Sequence, residues 1–243
     1  MQEQLISIKQ AALKLRCSLD TLRRWDKTGK LRSVRKQPRG HRYYIDEMIE
    51  KFLIESKDVL ALAKKWMREK PQEPEAPFYC QNSMIFKTEL ARMEKRIAEV
   101  AEAREYFPLI VAIVGEIGNN SFDHNLGNWP DIPGIFFGYR MDQKVIVLAD
   151  RGRGILQTLR NVKGDILNDK TALHIAFTEV ISGRAPEARG NGLKFVRESV
   201  VKYPLKLFFQ TGDAVLTLKT TESALHIVNT RTYLRGCLAM ISF

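Results

Sequence analysis

Along the chain, apolar residues recur at helical spacing in some stretches and alternate like strands in others, and the change of period marks out the elements. Ser7 stands three residues before Gln10, a capping-box spacing that predicts a short helix through Leu15. Ser18 predicts the cap of a second helix, with Asp20 in its first turn facing the positive end of the dipole and Gly29 as its stop. In that helix Leu22 and Trp25 fall on an inward side, while Thr21, Arg23, Arg24 and Lys27 face outward. The next stretch, LRSVRKQPRGHRYYI, reads as two short strands around a turn at Pro38–Gly40. A stripe of Val59, Leu62, Ala63 and Trp66 is expected to pack the same small module.

Beyond it, KPQEPEAPF holds three of the nine prolines and reads as a linker. Phe86, Leu90, Met93, Ile97 and Val100 then follow a 4-3-4-3 spacing in a helical pattern that runs to about Tyr106. Two heptads suit either a dimer seam or one helix laid against the next domain's sheet, and the pattern leaves both open. The remainder is a Gly-rich α/β region, with eleven of the 15 glycines between Gly115 and Gly192. The expected organisation is a small helical domain over residues 1–70, a linker over 71–85, a connecting helix over 86–106 and a second domain over 107–243.

Charge sharpens this division. The net charge is +11, and the segment from Leu5 to Tyr44 carries twelve Lys and Arg against Asp20 and Asp26 alone, so nearly all of the excess sits there. Concentrated on ordered helices rather than on a tail, it fits a module that meets a polyphosphate. No apolar run approaches the roughly 20 residues of a membrane-spanning helix. The start has no secretory pattern, and three scattered cysteines fit a reducing compartment. The expectation is a cytoplasmic protein with no membrane partner.

Two short helices with a tight connection, the second one basic, form a helix-turn-helix pattern, followed by a basic hairpin suited to straddle backbone phosphates. Residues 6–45, through TLRRWDKTGKL and RGHRYY, resemble the winged helix-turn-helix of the MerR superfamily, and especially its excisionase-like branch. The resemblance implies binding of double-stranded DNA, usually by a homodimer. Thr21, Arg23 and Arg24 would enter the major groove, and Arg39, His41, Arg42 and Tyr43 would work the wing. Cys17, between the helices, reads as small buried packing.

Three motifs in the second region carry candidate chemistry. In PLIVAIVGEIGNNSFDHN, Glu116 and Asn120 share one helix face, and a carboxylate with an amide oxygen suits Mg²⁺ or a water attacking a phosphate. In KVIVLADRGRGI, an apolar strand ends in Asp150 before alternate glycines, which sets a carboxylate at a cleft where backbone can approach a ligand. In ARGNGLKFVRESV, Gly190 and Gly192 precede an amphipathic helix whose free N–H groups would face an anion. Singly, each is matched by a plainer reading: a helix with two polar residues, a capped turn, a helix cap.

Together, over about residues 105–222, their order and spacing resemble the ATP-binding domain shared by sensor histidine kinases, type II topoisomerases, the ninety-kilodalton heat-shock chaperones and mismatch-repair ATPases. The resemblance implies an α/β sandwich with helices on one side of a mixed sheet, and so an α+β chain of two domains. It implies Mg²⁺ on Asn120, Glu116 as general base, and Asp150 reading the adenine amine above Gly152 and Gly154. Gly190, Asn191 and Gly192 would hold the phosphates of ATP, and residues 156–189 would form a mobile lid with Arg184 and Arg189 near the γ-phosphate. Thr217 or Thr220 would touch adenine. Asp123 and His124 depart from the sensor-kinase pattern toward the anti-sigma-factor kinases, and the 86–106 helix lacks a histidine, which argues against a histidine autokinase.

The leading expectation is a transcription regulator whose second domain binds Mg·ATP and couples nucleotide state to DNA binding or oligomerisation, with slow hydrolysis by way of Glu116. The alternatives are an ATPase or anti-sigma-type serine kinase targeted to DNA, acting on a further protein partner, and an excisionase-like architectural factor with a degenerate ATPase fold.

Overall fold

The computed structural model describes residues 4–15, 17–35, 37, 40–49, 52, 57–180 and 192–243. The chain divides into two compact units, Met1–Asp58 and Val59–Phe243.

In the small unit, β1 (Leu5–Ser7) leads into α1 (Ile8–Lys14), and the expected capping box of Ser7 and Gln10 is formed. The second helix, α2 (Leu19–Thr28), is capped by the Ser18 side chain on the Thr21 amide and closed by Gly29 at φ 76°, a left-handed turn that glycine takes without strain. The wing is β2 (Val34–Arg35) antiparallel to β3 (Arg42–Ile45), with Val34 opposite Tyr43. An addition to the sequence reading is β1 on the other side of β3, which makes a sheet of three strands in the order β1-β3-β2. Ile6, Ala11, Leu22, Leu31, Tyr44 and Ile49 form its core, and the Tyr44 hydroxyl donates to the Leu22 carbonyl at 3.3 Å, tying β3 to α2.

The large unit opens with α3 (Val59–Arg68). The stripe read as packing for the small module instead packs the large one. Trp66 lies against Phe136 of the sheet with ring centroids 6.4 Å apart, and Lys64 sits over Phe208. Nor is the proline-rich segment a free linker. The Trp66 indole donates to the Gln72 carbonyl at 2.7 Å, and Phe78 is buried, stacked on Phe136 at 5.2 Å. Pro77 seats a single 3₁₀ turn, Ala76–Phe78, before β4 (Tyr79–Cys80).

The 4-3-4-3 stripe belongs to α4 (Ser83–Ile97), whose Phe86, Met93 and Ile97 are fully buried inside the unit. Its partner is α5 (Phe107–Asn125). A Cβ on Gly118 would fall inside the Phe86 ring, and one on Gly115 would lie 3.5 Å from Leu90, so the two helices cross closely and run antiparallel. The stripe is thus consumed by the unit's own core, and the dimer-seam reading of it is withdrawn. The single helix expected to Tyr106 is also two pieces: α4 ends at Ile97 and a 3₁₀ turn, Ala101–Ala103, reverses the chain.

Five strands form the sheet, β5 (Ile135–Arg140), β6 (Val145–Asp150), β7 (Lys206–Lys219) and β8 (His226–Ser242) with β4, in the order β4-β5-β6-β8-β7. All of its pairings among the described residues are antiparallel, where the resemblance implies a mixed sheet. One face carries α4, α5, α7 (Asp169–Thr178) and α8 (Gly192–Lys202) over a core that includes Ile135, Phe137, Ile146, Leu148, Leu207 and Phe209. Because side chains alternate along a strand, Phe136 points to the opposite face, where α3 lies. Helices therefore cover both faces rather than one. The stretch expected as a mobile lid begins with α6 (Gly154–Arg160) and α7, and Phe177 of α7 is buried edge-on against Phe209 at 5.5 Å.

Candidate functional site

Helix α5 organises the site, because its polar residues after Gly115 fall on successive turns. Glu116 and Asn120 are half-buried on one face, and the first residue of α8 comes against them: a Cβ on Gly192 would meet the Glu116 carboxylate and lie 3.5 Å from the Asn120 amide nitrogen. Glycine, having no side chain, leaves room there, and the start of α8 stands beside the Glu116 carboxylate and the Asn120 amide.

Further along the same helix, the Ser121 hydroxyl donates to Asp150 at 2.8 Å. Asp150 ends β6, is only 2% exposed, and also accepts from the Gly152 amide at 2.8 Å and from the Cys237 amide. Burial pushes its pKa up to about 6, against the pull of those three bonds. Asn125, buried on α5, accepts from the Arg153 amide at 2.9 Å and donates to the Ser121 carbonyl at 2.7 Å. A Cβ on Gly152 would collide with the Asn125 amide, so the turn after Asp150 is seated directly on the helix. Three motifs separate in the chain thus meet along one helix, at Glu116 and Asn120 on one side and at Ser121 and Asn125 on another.

Gly154 lies on the far side of the Asp150 turn. It has φ 74°, and a Cβ there would press on Thr211 Oγ1 at 3.0 Å. Thr211 is fully buried, donates to the Gly236 carbonyl at 2.9 Å and accepts from the Ile155 amide at 3.2 Å. Gly236, at φ 86°, packs on the Asp150 backbone so tightly that any Cβ would strike it. A cleft of about 230 Å³ opens over Gly154, Thr211 and Gly236, walled by Arg153, Asp169 and Tyr233. Gly236 in its wall packs on Asp150, but Asp150, Glu116 and Asn120 do not themselves line it.

The threonine expected near Asp150 is neither candidate. Thr217 is exposed opposite His226, and the Thr220 hydroxyl is bound to the Tyr203 carbonyl at 2.6 Å. Thr211 is instead the threonine packed against Gly154 and Gly236, beside Cys237, whose thiol burial raises well above its usual range. The sequence reading also misses Ser121, Asn125 and Gly236. Ser121 and Asn125 carry a readable signal, since they repeat the i, i+4 spacing of Glu116 and Asn120 one residue on; Gly236 lies in a strand whose register alone brings it to Asp150. Gly190, Asn191, Arg184 and Arg189 lie outside the described residues. Among the described residues no group of three or more His, Cys, Asp or Glu could cage a metal ion. Glu116 and Asn120 are the oxygen donors suited to share Mg²⁺ with a phosphate, as that ion prefers.

On the small unit, α2 presents Arg23, Arg24 and Lys27 to solvent, while Thr21 is half-buried at the capped end. Arg23 pairs with Asp20 at 2.7 Å in an exposed i, i+3 contact of little strength. Arg42, expected on the wing, instead donates to Asp26 at 2.7 Å, and Asp26 also accepts from the Ser33 amide at 2.8 Å. Burial raises the Asp26 pKa, but the Ser33 bond and the Arg42 guanidinium outweigh it and hold it at about 2. Arg42 therefore fastens β3 to α2. His41 is exposed beside it, Tyr43 is half-buried on β3, and Arg39 lies outside the described residues. Trp25 lies tilted at 46° against Phe52, ring centroids 4.9 Å apart, with Lys30 over its ring, a packing role.

Among the described residues no helix is long and apolar enough to cross a membrane. No curated protein matches the chain. The family model of the MerR family regulatory protein matches residues 7–44, the span from the α1 cap to β3, and this MerR-like amino-terminal region points to a DNA-binding regulator.

Proposed function

We propose that this chain is a DNA-binding regulator whose large unit binds Mg·ATP and uses the nucleotide to set DNA affinity or self-association. The observation that carries the nucleotide reading is the convergence on α5: Gly192 against Glu116 and Asn120, Asp150 on Ser121, Gly152 on Asn125. A buried carboxylate beside a glycine-lined cleft can accept a hydrogen bond from an exocyclic amine, and Thr211 stands next to it as a second polar contact. Asn120 would hold Mg²⁺, which when bound would supply neutralisation of phosphate charge. Glu116, half-buried at the same point, is placed to orient a water and take its proton.

The DNA reading rests on the MerR-like match together with the outward basic face of α2. Arg23 and Arg24 would reach base edges or phosphates, with Thr21, His41 and Tyr43 flanking them, while Arg42 keeps the wing strand in place. Binding to a labelled duplex should weaken steeply with salt, at a log–log slope near −0.9 per phosphate neutralised; a flat response would remove the basic-face argument. For the large unit, Glu116→Gln should still bind Mg·ATP but release no phosphate. If phosphate release persists in that variant, Glu116 is not the base.

A further inference from the structure

Resting on the nucleotide reading above, we propose that Arg151 transmits the state of the Asp150 site to helix α3, the element joined directly to the small unit at Asp58–Val59. Asp150 and Arg151 are consecutive, and their side chains leave the end of β6 toward opposite faces. Asp150 meets Ser121 of α5; Arg151, only 5% exposed, reaches the face that carries α3. There its Nη1 donates to the Trp66 carbonyl at 2.6 Å and the Glu69 carbonyl at 3.1 Å, two groups at the carboxy-terminal end of α3 that have no partner within the helix. Its Nη2 and Nε donate to Asp131 at 2.8 and 3.1 Å, and the guanidinium lies 5.8 Å from the centre of the Trp66 ring.

A second segment of the site joins the same node. Gly236 is packed on the Asp150 backbone, and its chain neighbour Arg235 pairs with Asp131. The two backbone segments that meet at Asp150 therefore both send an arginine to one carboxylate under α3. A guanidinium is a planar fork with donors in fixed directions, so it cannot follow a displacement of residues 150–152 and keep all four hydrogen bonds. Any ligand that moves this turn must pull on, or release, the end of α3. That helix is the first element of the large unit after Asp58 in the chain.

The test is amide hydrogen exchange of residues 64–69 in the full chain, with and without saturating Mg·ATP, with nucleotide uptake measured by calorimetry on the same sample. The wild type should show a change in exchange of about fivefold or more. Arg151→Lys and Asp131→Asn, checked for intact folding by circular dichroism, should take up nucleotide with that response abolished. Uptake by the wild type with unchanged exchange at α3 overturns the proposal and leaves the nucleotide reading standing. A full response in both variants overturns it as well. Absence of uptake by the wild type removes the nucleotide reading first and the proposal with it.

Discussion

The two units treat a sequestered carboxylate in opposite ways. Asp26 in the small unit is held at about pKa 2 by the Ser33 amide and Arg42 despite its burial, so it stays ionised and serves as a staple between α2 and the wing. Asp150 in the large unit has no cation beside it among its hydrogen-bond partners; burial dominates, and its pKa rises to about 6. One carboxylate stabilises the fold. The other is kept at a cost to it, which is the expected signature of a group retained for a ligand. The same contrast runs through the cations: those on α2 face outward, whereas Arg151 is drawn inside to cap a helix.

The largest effect that separates the units concerns packing. Phe86→Ala should destabilise the large unit by about 3–5 kcal/mol in urea unfolding, because a fully buried ring is removed from the α4–α5 crossing. A change near zero, accompanied by loss of a dimer in sedimentation, would return the stripe to an interface. Next comes Asp150→Asn. A folded-state pKa above the unfolded value makes the ionised form costly, so wild-type stability falls as pH rises from about 4 to 6. The variant should gain about 3 kcal/mol above pH 6 and nothing near pH 4. A gain independent of pH would show that titration of Asp150 is not the cause.

On the small unit, Arg23→Ala should weaken a specific DNA site more than random duplex, by about 1–3 kcal/mol if the side chain meets a base. Equal losses on both would make it a phosphate contact. The smallest effect is at the staple. Asp26→Asn should cost about 1 kcal/mol at neutral pH, since the site is partly solvated. Because the folded pKa is depressed, that difference should fade as pH drops from about 4 toward 2. A larger loss that survives at pH 2 would point to packing rather than charge.

The small unit was legible almost residue by residue, because its signals are local: Ser7 with Gln10, Ser18, Gly29 and the basic spacing of α2 all act within a few positions. β1 escaped, since a three-residue strand is defined by its partner β3 and not by its own pattern. In the large unit the helical stripes were read correctly as helices, but their partners were not. Val59 and Trp66 bury against β5, which begins at Ile135, and Phe86 against Gly118, pairings that no periodicity reveals. The site divides along the same line. Glu116, Asn120, Asp150, Gly152, Gly154 and Gly192 are singled out by local spacing. Thr211 and Gly236 reach Asp150 only through the β7–β8 register and the shift in it between Thr211 and Gly212. The Arg42–Asp26 pair is not legible in the sequence, because a basic wing residue looks the same whether or not an acid lies beneath it.

The central claim is that the large unit is a nucleotide site built around Asp150. Calorimetric titration of the full chain with Mg·ATP, run beside Asp150→Asn, tests it most directly. Saturable binding by the wild type that the still-folded variant loses is the predicted result. No binding by either protein, or equal binding by both, would contradict it.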